Sequence, residues 1–427
     1  MRVLDVGSVL LGVVVLALVQ ADIVSTVLHP QAEGVLSGRV QRLGWAGFRV
    51  AARAMPRWSW GRRLLSWGFP LLVAGLIAFW LLGLLVGFAL LYLPWVEDPA
   101  WFVVPDNVAS APVEALYFSG VTLLTIGYGE IHPVGLPFRT LAMLEAASGV
   151  LTVSLSVAYL LAVYPQVARQ QAVAVALNAE VAGQTSGLPM LRRYLLTGRE
   201  RDLSMRLREL ALSLLDLTEA HMTHPVLYYV RPRRMEHSLL RVLVTAQGLI
   251  GALRYGLSPD EHADVVRDPQ LLLLEEVFQR SLARLTAVTH GRVVPVDDAA
   301  ERRALAAEFR EVCAGLDALG FVSSRRVASV PVAPLVAALH QETAVGLGFG
   351  EVIGDGFASA EAPPTSGGER TGGDLDARQD PALDESADSA VAAYVEFRLA
   401  TDPHLVAYAA TRAYDLRQVR NGEHGHV

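Results

Sequence analysis

Residues 115–133 read Ala-Leu-Tyr-Phe-Ser-Gly-Val-Thr-Leu-Leu-Thr-Ile-Gly-Tyr-Gly-Glu-Ile-His-Pro. At the centre of this stretch, Thr125-Ile-Gly-Tyr-Gly129 has a glycine on each side of a tyrosine. Glycine adopts positive φ values that are closed to most other residues. The backbone of this pentapeptide can therefore point successive carbonyl oxygens to one side of an extended strand. The chain contains no second Gly-Tyr-Gly.

The sequence around this stretch has the hydropathy of a membrane protein. Hydrophobic residues make up 52% and charged residues 19% of the chain, against about 25% charged residues in soluble domains. A spanning helix needs about 20 apolar residues, and three stretches qualify, namely 4–28, 70–93 and 140–164. The stretch 111–124 is too short to span. With Ser110 as its cap and Pro112 in its first turn, it predicts a short helix that enters the bilayer from one side.

Charge asymmetry predicts the orientation in the membrane. The loop 29–69 contains seven arginines and one acid, Glu33, which makes it cytoplasmic by the positive-inside rule. We therefore expect the first helix to be retained and not cleaved as a signal peptide, with the N-terminus outside. The segment 97–139 has five acids and only Arg139 as a base, which suits the outside. The chain is thus expected to be a multi-pass protein of the plasma membrane with its C-terminal part in the cytoplasm.

The whole stretch 115–133, with its aromatic pair Tyr117-Phe118 and its final proline, resembles the pore loop of bacterial and eukaryotic potassium channels. The resemblance covers about residues 70–165. In that family, rings of backbone carbonyls replace the hydration shell of the ion. The resemblance therefore implies an ion-binding selectivity filter made of Thr125, Ile126, Gly127, Tyr128 and Gly129. It also implies that the Tyr128 ring packs against the Tyr117-Phe118 region and that Glu130 forms an acidic ring at the outer mouth.

Two further positions matter to this resemblance. Leu124 stands where the family usually has Thr or Ser, which affects the innermost ion site. Gly149 lies 20 residues after Gly129, the spacing of the gating hinge in inner helices of the family. The alternative is that Gly149 permits close helix packing beside its small neighbours, and both interpretations stay open.

Two ionisable residues lie inside predicted spans, Asp22 and Glu145. Such residues default to functional roles because an isolated charge is costly in lipid. Glu145 is expected to hydrogen-bond to the region of the pore helix. Asp22 is expected to pair with an arginine at the cytoplasmic interface, or to sit among lipid headgroups if the first helix lies shallow.

The Arg-rich loop has a helical pattern over 36–54. Its arginines fall within about 80° of one another on a helical wheel; they are Arg39, Arg42, Arg49 and Arg53. The pattern predicts an interfacial helix that lies on anionic membrane lipids. A solvated basic linker is the alternative.

The region after residue 165 is predicted to be helical. Leucines at alternating spacings of four and three form an apolar stripe over 203–217, typical of a helix-bundle core. His221, His224 and His237 are expected to be ordinary surface histidines and not a metal site. Residues 346–350 form a glycine cluster without the spacing of a dinucleotide site. Residues 351–390 hold ten acids and two arginines, which predicts a disordered linker.

The sequence thus predicts an all-α membrane protein: three transmembrane helices with a re-entrant pore helix and filter loop, followed by a mostly helical cytoplasmic domain. The predicted segments are an N-terminal transmembrane helix (1–30), an Arg-rich cytoplasmic loop with the interfacial helix (31–69), a pore module (70–165), a helical cytoplasmic domain (166–350), the acidic linker (351–390) and C-terminal helices (391–427). Within the pore module we expect the outer helix at 70–93, the pore helix at 111–124, the filter at 125–129 and the inner helix at 140–164.

The function expected from the resemblance is passive, potassium-selective permeation. One chain offers one filter strand, so a ring of oxygens requires a homotetramer. We expect no cofactor, no metal beyond the permeating K⁺, no nucleic acid, and an unknown ligand for the cytoplasmic domain. Two alternatives remain: a non-conducting membrane sensor that keeps the pore fold, and an enzyme in the cytoplasmic region. For the enzyme, the sequence offers no nucleophile–base pair, phosphate loop or metal spacing.

Overall fold

The fold of the chain is helical in this computed structural model, which describes residues 3–29, 34–55, 58–105, 110–288, 293–295, 298–324, 381–412 and 414. Within these residues, three helices are long and apolar enough to cross a membrane. They are α1 (Val3–Leu28), α4 (Gly68–Tyr92) and α6 (Leu136–Glu180). The predicted class, an all-α membrane protein, is confirmed.

Helices α1 and α4 pack closely because glycines let their backbones approach. A Cβ on Gly12 would lie 2.8 Å from the Gly87 carbonyl oxygen, and a Cβ on Gly83 would lie 2.7 Å from the Val19 side chain. Small residues serve the same purpose in other membrane helix pairs. Partner numbers on α4 fall as residue numbers on α1 rise, so the two helices are antiparallel.

The Arg-rich loop contains two helices, α2 (Val35–Ala54) and α3 (Trp58–Ser66). The first coincides with the helical pattern at 36–54, and its interfacial position stays a prediction; the sequence pattern gave no prediction for the second. A small core holds both helices against α4 through Trp45, Ala52, Leu65 and Leu72. The apolar sides of α2 and α3 therefore pack against α4.

The pore region consists of α5 (Ala111–Leu123), flanked by two short antiparallel strands, β1 (Phe102–Val103) and β2 (His132–Pro133). Pro112 lies in the first turn of α5, as the sequence predicts. Ser110 occupies the cap position, but its carbonyl and not its side chain accepts the first amide bonds, from Val113 and Glu114. The predicted side-chain cap at Ser110 is therefore replaced by the main-chain oxygen.

Helix α6 differs in length from the predicted inner helix 140–164. Its 45 residues span about 68 Å, more than twice the thickness of a bilayer core of about 30 Å. Pro165, at the predicted boundary, lies inside the helix. Hydropathy falls after this proline, but the alanine- and glutamine-rich segment 166–180 has high helix propensity. The helix therefore continues past the point where its apolar character ends.

The first of two compact units comprises Met1–Leu249, Pro269–Val294 and His404–Val427. Beyond α6 it contains α7 (Leu188–Leu195), α8 (Glu200–Thr223), 3-10 turns at Pro225–Tyr229 and Met235–His237, most of α9 (Leu239–Ile250) and α11 (Pro269–Val288). The leucine stripe of α8 is buried and packs against α11 within the same chain. This arrangement is a helix-bundle core, as the sequence pattern favours.

The second unit comprises Ile250–Asp268 and Pro295–Pro403. It contains a π-helical turn (Gly251–Gly256), α10 (Ala263–Val266), α12 (Ala299–Ala318) and most of α13 (Pro381–Thr411). Its small core is built by Phe309, Cys313 and Tyr394.

Two predictions for the C-terminal third fall outside the described residues. They concern the glycine cluster at 346–350 and the linker up to residue 380. Helix α13 begins at Pro381, inside the predicted linker, which was expected to end at residue 390. A proline at the first helical position and acids in the first turns favour a helix start, so composition placed this boundary too late.

Candidate functional site

The filter stretch follows directly from the end of the pore helix. Backbone amides of Leu124, Thr125 and Ile126 donate to carbonyl oxygens of α5, at 3.1, 3.0 and 2.8 Å respectively. These bonds fix the direction in which the chain leaves the helix. The C-terminal end of a helix carries partial negative charge, so α5 presents its cation-attracting end to the start of the filter.

The sign of the backbone φ angle alternates along residues 125–129. Thr125, Gly127 and Gly129 have φ values of 55°, 64° and 90°, whereas Ile126 and Tyr128 between them do not have positive φ. Glycine takes such values without penalty, but a threonine there is strained, and strain of this kind concentrates at functional sites.

The whole stretch 124–130 is exposed in the single chain. Leu124, Ile126 and Tyr128 are 53%, 48% and 70% exposed. A continuous row of exposed apolar side chains is costly for an isolated subunit. Residues 124–130 therefore lie on a face that the single chain leaves uncovered.

At the outer end of the filter, two contacts hold the backbone. The Tyr117 hydroxyl on α5 donates to the Glu130 carboxylate, and Nδ1 of His132 lies 3.2 Å from the Gly129 carbonyl oxygen. The sequence pointed to Glu130 but gave Tyr117 no role as its partner. The Tyr128 side chain is 70% exposed in the single chain, and its packing against the Tyr117-Phe118 region stays a prediction. Phe118 packs on Tyr92, with ring centroids 4.9 Å apart.

A buried carboxylate lies behind the pore helix. Glu145 on α6 is fully buried. Its Oε2 accepts a hydrogen bond of 2.9 Å from the Tyr92 hydroxyl on α4, and its Oε1 contacts Ser119 Oγ on α5. The expected bond from Glu145 to the pore helix is thus present. One side chain joins the outer, pore and inner helices.

Aromatic packing completes this support. The rings of Tyr92, Phe102, Phe118 and Phe138 form one buried cluster. Ring centroids of Phe102 lie 5.4 Å from Phe118 and 5.2 Å from Phe138, at the distances preferred by aromatic pairs. Helix α5 is therefore held laterally by aromatic rings from α4, β1 and α6.

Gly149 faces the end of the pore helix. A Cβ at this position would lie 2.1 Å from the Leu123 carbonyl oxygen. The contact gives Gly149 a packing role at the start of the filter. A gating hinge at Gly149 remains a prediction, in addition to this packing role.

Asp22 has a different partner from the expected arginine. Its carboxylate accepts backbone hydrogen bonds from Leu36 at 2.8 Å and Ser37 at 3.1 Å, a bond from the Ser37 hydroxyl, and one of 3.0 Å from Trp80 Nε1. The amides at a helix N-terminus have no partners inside the helix and favour an anion. Asp22 therefore docks the start of α2 onto α1 and α4. Sequence reasoning missed this role because it depends on how α1, α2 and α4 pack together.

The histidines considered for a metal site are engaged elsewhere. Nδ1 of buried His221 donates to the Leu217 carbonyl oxygen at 2.7 Å, and the nearby Glu219 pairs with Arg284. His237 lies beside Glu236. These contacts fix His221 as part of the helical core, which corrects its expected surface position.

Comparison with known proteins identifies the region. The family model described as ion channel matches residues 75–165. The chain is 23% identical to the uncharacterized membrane protein YdjJ of Bacillus subtilis (strain 168) over 265 residues, 60% of this chain and 74% of that protein.

Two LctB proteins match a shorter part of the chain. The identity is 40% for the protein of Bacillus caldotenax and 37% for that of Geobacillus stearothermophilus, each over 76 residues. The chain covers 56% of the length of each LctB protein. No solved structure matches. Residues 75–165 therefore match the ion channel family model, which is consistent with a pore-loop channel module.

Proposed function

We propose that the chain forms a potassium-selective channel in which four copies surround one pore. The observation that carries the proposal is the filter stretch. Thr125-Ile-Gly-Tyr-Gly129 leaves the end of a pore helix with alternating positive φ and lies on an exposed face. Its carbonyl oxygens, with the Thr125 hydroxyl, are the ion-binding groups. Glu130 supplies negative charge at the outer mouth, and K⁺ is the permeating ion.

A homotetramer follows from the geometry of ion coordination. One chain contributes one filter strand, and a closed ring of identical strands requires rotational symmetry. Exposed apolar residues on α6, among them Met143, Leu151 and Leu161, supply a surface for lipid or neighbouring subunits.

The proposed topology places the N-terminus outside and the helices after α6 in the cytoplasm of a plasma-membrane protein. Its support is the positive charge of the loop 29–69. In α2, Arg39, Arg42 and Arg53 are exposed, while Trp45 is buried against the pore module. We infer that these arginines lie on anionic lipid headgroups of the inner leaflet.

The test is ion flux through purified full-length protein in liposomes. We expect K⁺ and Rb⁺ to permeate in strong preference to Na⁺. Gly127→Ala should abolish selective conduction. A Cβ at Gly127 meets nothing within 4 Å in the single chain, so the cost of the substitution comes from the positive φ, which alanine adopts only with strain.

Gly198→Ala is the matched control. Gly198 also has positive φ, at 65°, and a Cβ there would meet nothing within 4 Å, but it lies outside the pore module. The variant should lose similar stability and keep selective flux. Equal Na⁺ and K⁺ flux in the unmodified protein would refute potassium selectivity, and no flux in a stable tetramer would favour the non-conducting scaffold.

A further inference from the structure

A cluster of buried arginine, tyrosine and histidine side chains lies in the first compact unit, away from the filter. It joins the end of α8, the 3-10 turn 225–229 and the last turn of α13. We call it the arginine–tyrosine cluster, and its members are His221, Tyr228, Arg231, Tyr408, Arg412 and Tyr414. None of these residues belongs to the proposed pore.

The cluster is organised around the Arg412 guanidinium. Its central carbon lies 4.4 Å from the ring centroid of Tyr408 and 5.5 Å from that of Tyr228. The ring of His221 lies 5.3 Å from that of Tyr228. Arg231 stacks at 4.7 Å on Tyr414 and donates to the Arg412 carbonyl oxygen at 3.3 Å. The charge of Arg412 is thus enclosed by aromatic rings.

Several buried polar atoms in this cluster have no hydrogen-bond partner among the described residues. They are Arg412 Nε, His221 Nε2 and the hydroxyl oxygens of Tyr228, Tyr408 and Tyr414. Buried polar groups in native proteins are almost always paired with protein, water or an ion. Unpaired groups concentrated in one place indicate a common missing partner.

The charge of the cluster indicates that this partner is an anion. Arg412 is 3% exposed, and within the described residues no carboxylate forms an ion pair with it. Burial raises the pKa of the Tyr228, Tyr408 and Tyr414 hydroxyls, so all three keep their protons. A buried positive charge is costly without a counter-charge.

The hydrogen-bonding capacity specifies the anion further. Arg412 Nε and the tyrosine hydroxyls can donate. His221 Nδ1 already donates to the Leu217 carbonyl oxygen, so Nε2 of the neutral ring is an acceptor. Monohydrogen or dihydrogen phosphate accepts on its bare oxygens and donates from its hydroxyl. Chloride and sulfate offer no donor for His221.

We propose that the arginine–tyrosine cluster binds a phosphate group that retains a hydroxyl, supplied by free phosphate or by a phosphomonoester lipid headgroup. Arg412 provides the charge, the tyrosine hydroxyls donate and His221 accepts.

The position of the cluster links this site to the pore module. Arg412 donates to the Leu227 carbonyl oxygen at 3.4 Å. Leu227 and its neighbours pack against Phe69 on α4 and Val163 on α6. The preceding residue, Thr411, accepts a bond of 3.0 Å from Trp45 on α2. A bound phosphate would therefore fasten the end of α13 to a segment that touches the outer and inner helices.

The experiment is thermal unfolding of the purified full-length protein in detergent, in a chloride buffer without phosphate. Inorganic phosphate is titrated in one arm and sulfate in a second. In a third arm, the protein is reconstituted in nanodiscs with or without phosphatidic acid. We expect the unfolding midpoint to rise with phosphate, with phosphatidic acid or with both, and not with sulfate. A response to phosphatidic acid alone identifies the headgroup as the source.

Two variants make the test specific. Tyr408→Phe removes an unpartnered hydroxyl, so we expect an unchanged or higher midpoint without phosphate and a phosphate Kd raised at least about tenfold. Tyr394→Phe is the control, because the Tyr394 hydroxyl has a partner, Arg398. It should lower the midpoint and leave the phosphate response intact.

Three results would overturn the proposal: no midpoint shift with either phosphate source, an equal shift with sulfate, or an unchanged phosphate Kd in Tyr408→Phe. Because the readout is unfolding and not ion flux, a negative result here is independent of potassium permeation.

Discussion

Glycines in the pore module serve two different physical purposes. Gly127 and Gly129 are required for their positive φ, at 64° and 90°, and have open space around them. Gly149 is helical, and it is required because Leu123 of the pore helix approaches its Cα closely. The residue type is the same, but a methyl group at these positions would act on backbone conformation in one case and on packing in the other.

We expect Gly149→Ala to disturb the filter as well as the inner helix. The added Cβ would lie 2.1 Å from the Leu123 carbonyl oxygen, so the end of α5 must shift, and the filter begins two residues later. Overpacking of this kind costs about 1–3 kcal/mol. Rb⁺ and Na⁺ flux and tetramer yield should both change. Gly75→Ala on α4, where a Cβ meets nothing within 4 Å, should change neither. Lower open probability with unaltered selectivity and tetramer yield would instead support the hinge.

At the scale of elements, α2 is bound at its N-terminus and at its middle to other parts of the first unit. Its N-terminal amides donate to Asp22 of α1. Further along, Trp45 packs on Tyr229, with ring centroids 5.7 Å apart, and donates to the Thr411 carbonyl oxygen. The Arg-rich helix therefore connects the membrane helices with the end of α13. These contacts are within the chain and do not depend on an attraction between its arginines and lipid.

Asp22→Asn should release the start of α2. Asparagine keeps the shape of the side chain, but its NH2 group is a hydrogen-bond donor. It would face the donor groups of Ser37 and Trp80, so hydrogen bonds to this side chain would be lost. Hydrogen bonds to charged groups contribute about 1.5–3 kcal/mol each, so we expect a loss of about 3 kcal/mol in the free energy of unfolding. Chemical denaturation followed by tryptophan fluorescence measures it. Asp5→Asn, on the same helix but only half-buried, is the control. Equal losses in both variants would contradict the docking role.

At the scale of the whole molecule, His221 predicts acid sensitivity. Burial, and then the charge of Arg412, lower the pKa of His221 to about 3, while an unfolded histidine has a pKa of about 6.5. Between these values the unfolded chain binds the additional proton. Stability is therefore present above pH 6.5 and is lost as the pH falls, by about 1.4 kcal/mol per pH unit.

His221→Gln should remove this part of the acid sensitivity. The variant can be less stable at pH 7.5, so the informative quantity is the change in the free energy of unfolding between pH 6.5 and pH 5. We expect that change to be smaller than in the unmodified protein by about 1–2 kcal/mol. His237→Gln, at a more exposed histidine, is the matched control substitution. Parallel curves for the unmodified protein and His221→Gln would show that another group is responsible.

The acidic linker gives a second prediction at this scale. Residues 357–380 are rich in acids, proline and glycine and offer little apolar surface to bury. Their deletion should leave the oligomeric state and the K⁺ over Na⁺ preference intact, measured by size-exclusion chromatography with light scattering and by liposome flux. Extending the deletion to residue 395 removes the buried Tyr394 and Val395 and should destabilise the protein. Loss of assembly on the shorter deletion would make the tract a subunit contact.

The amino-acid sequence by itself determined the elements that depend on local composition. Continuous apolar stretches had to become membrane helices, and the two glycines of the filter had to allow positive φ. Boundaries set by hydropathy were less reliable, because helix propensity continues through 166–180 after the apolar character of α6 has ended. The family of the pore module was also evident from residues 115–133, since a filter is a local backbone structure.

Only the tertiary structure decided which distant groups meet. Glu145 was recognisable as an ionisable residue in a span, but its link to Tyr92 and Ser119 depends on how three helices pack. Asp22 had an arginine as its expected partner and has backbone amides of α2 instead. Likewise, nothing local indicates that His221, Tyr408 and Arg412 share one buried site. Hydrogen bonds and burial between residues far apart in the chain depend on packing, and the periodicity of a single element does not contain that information.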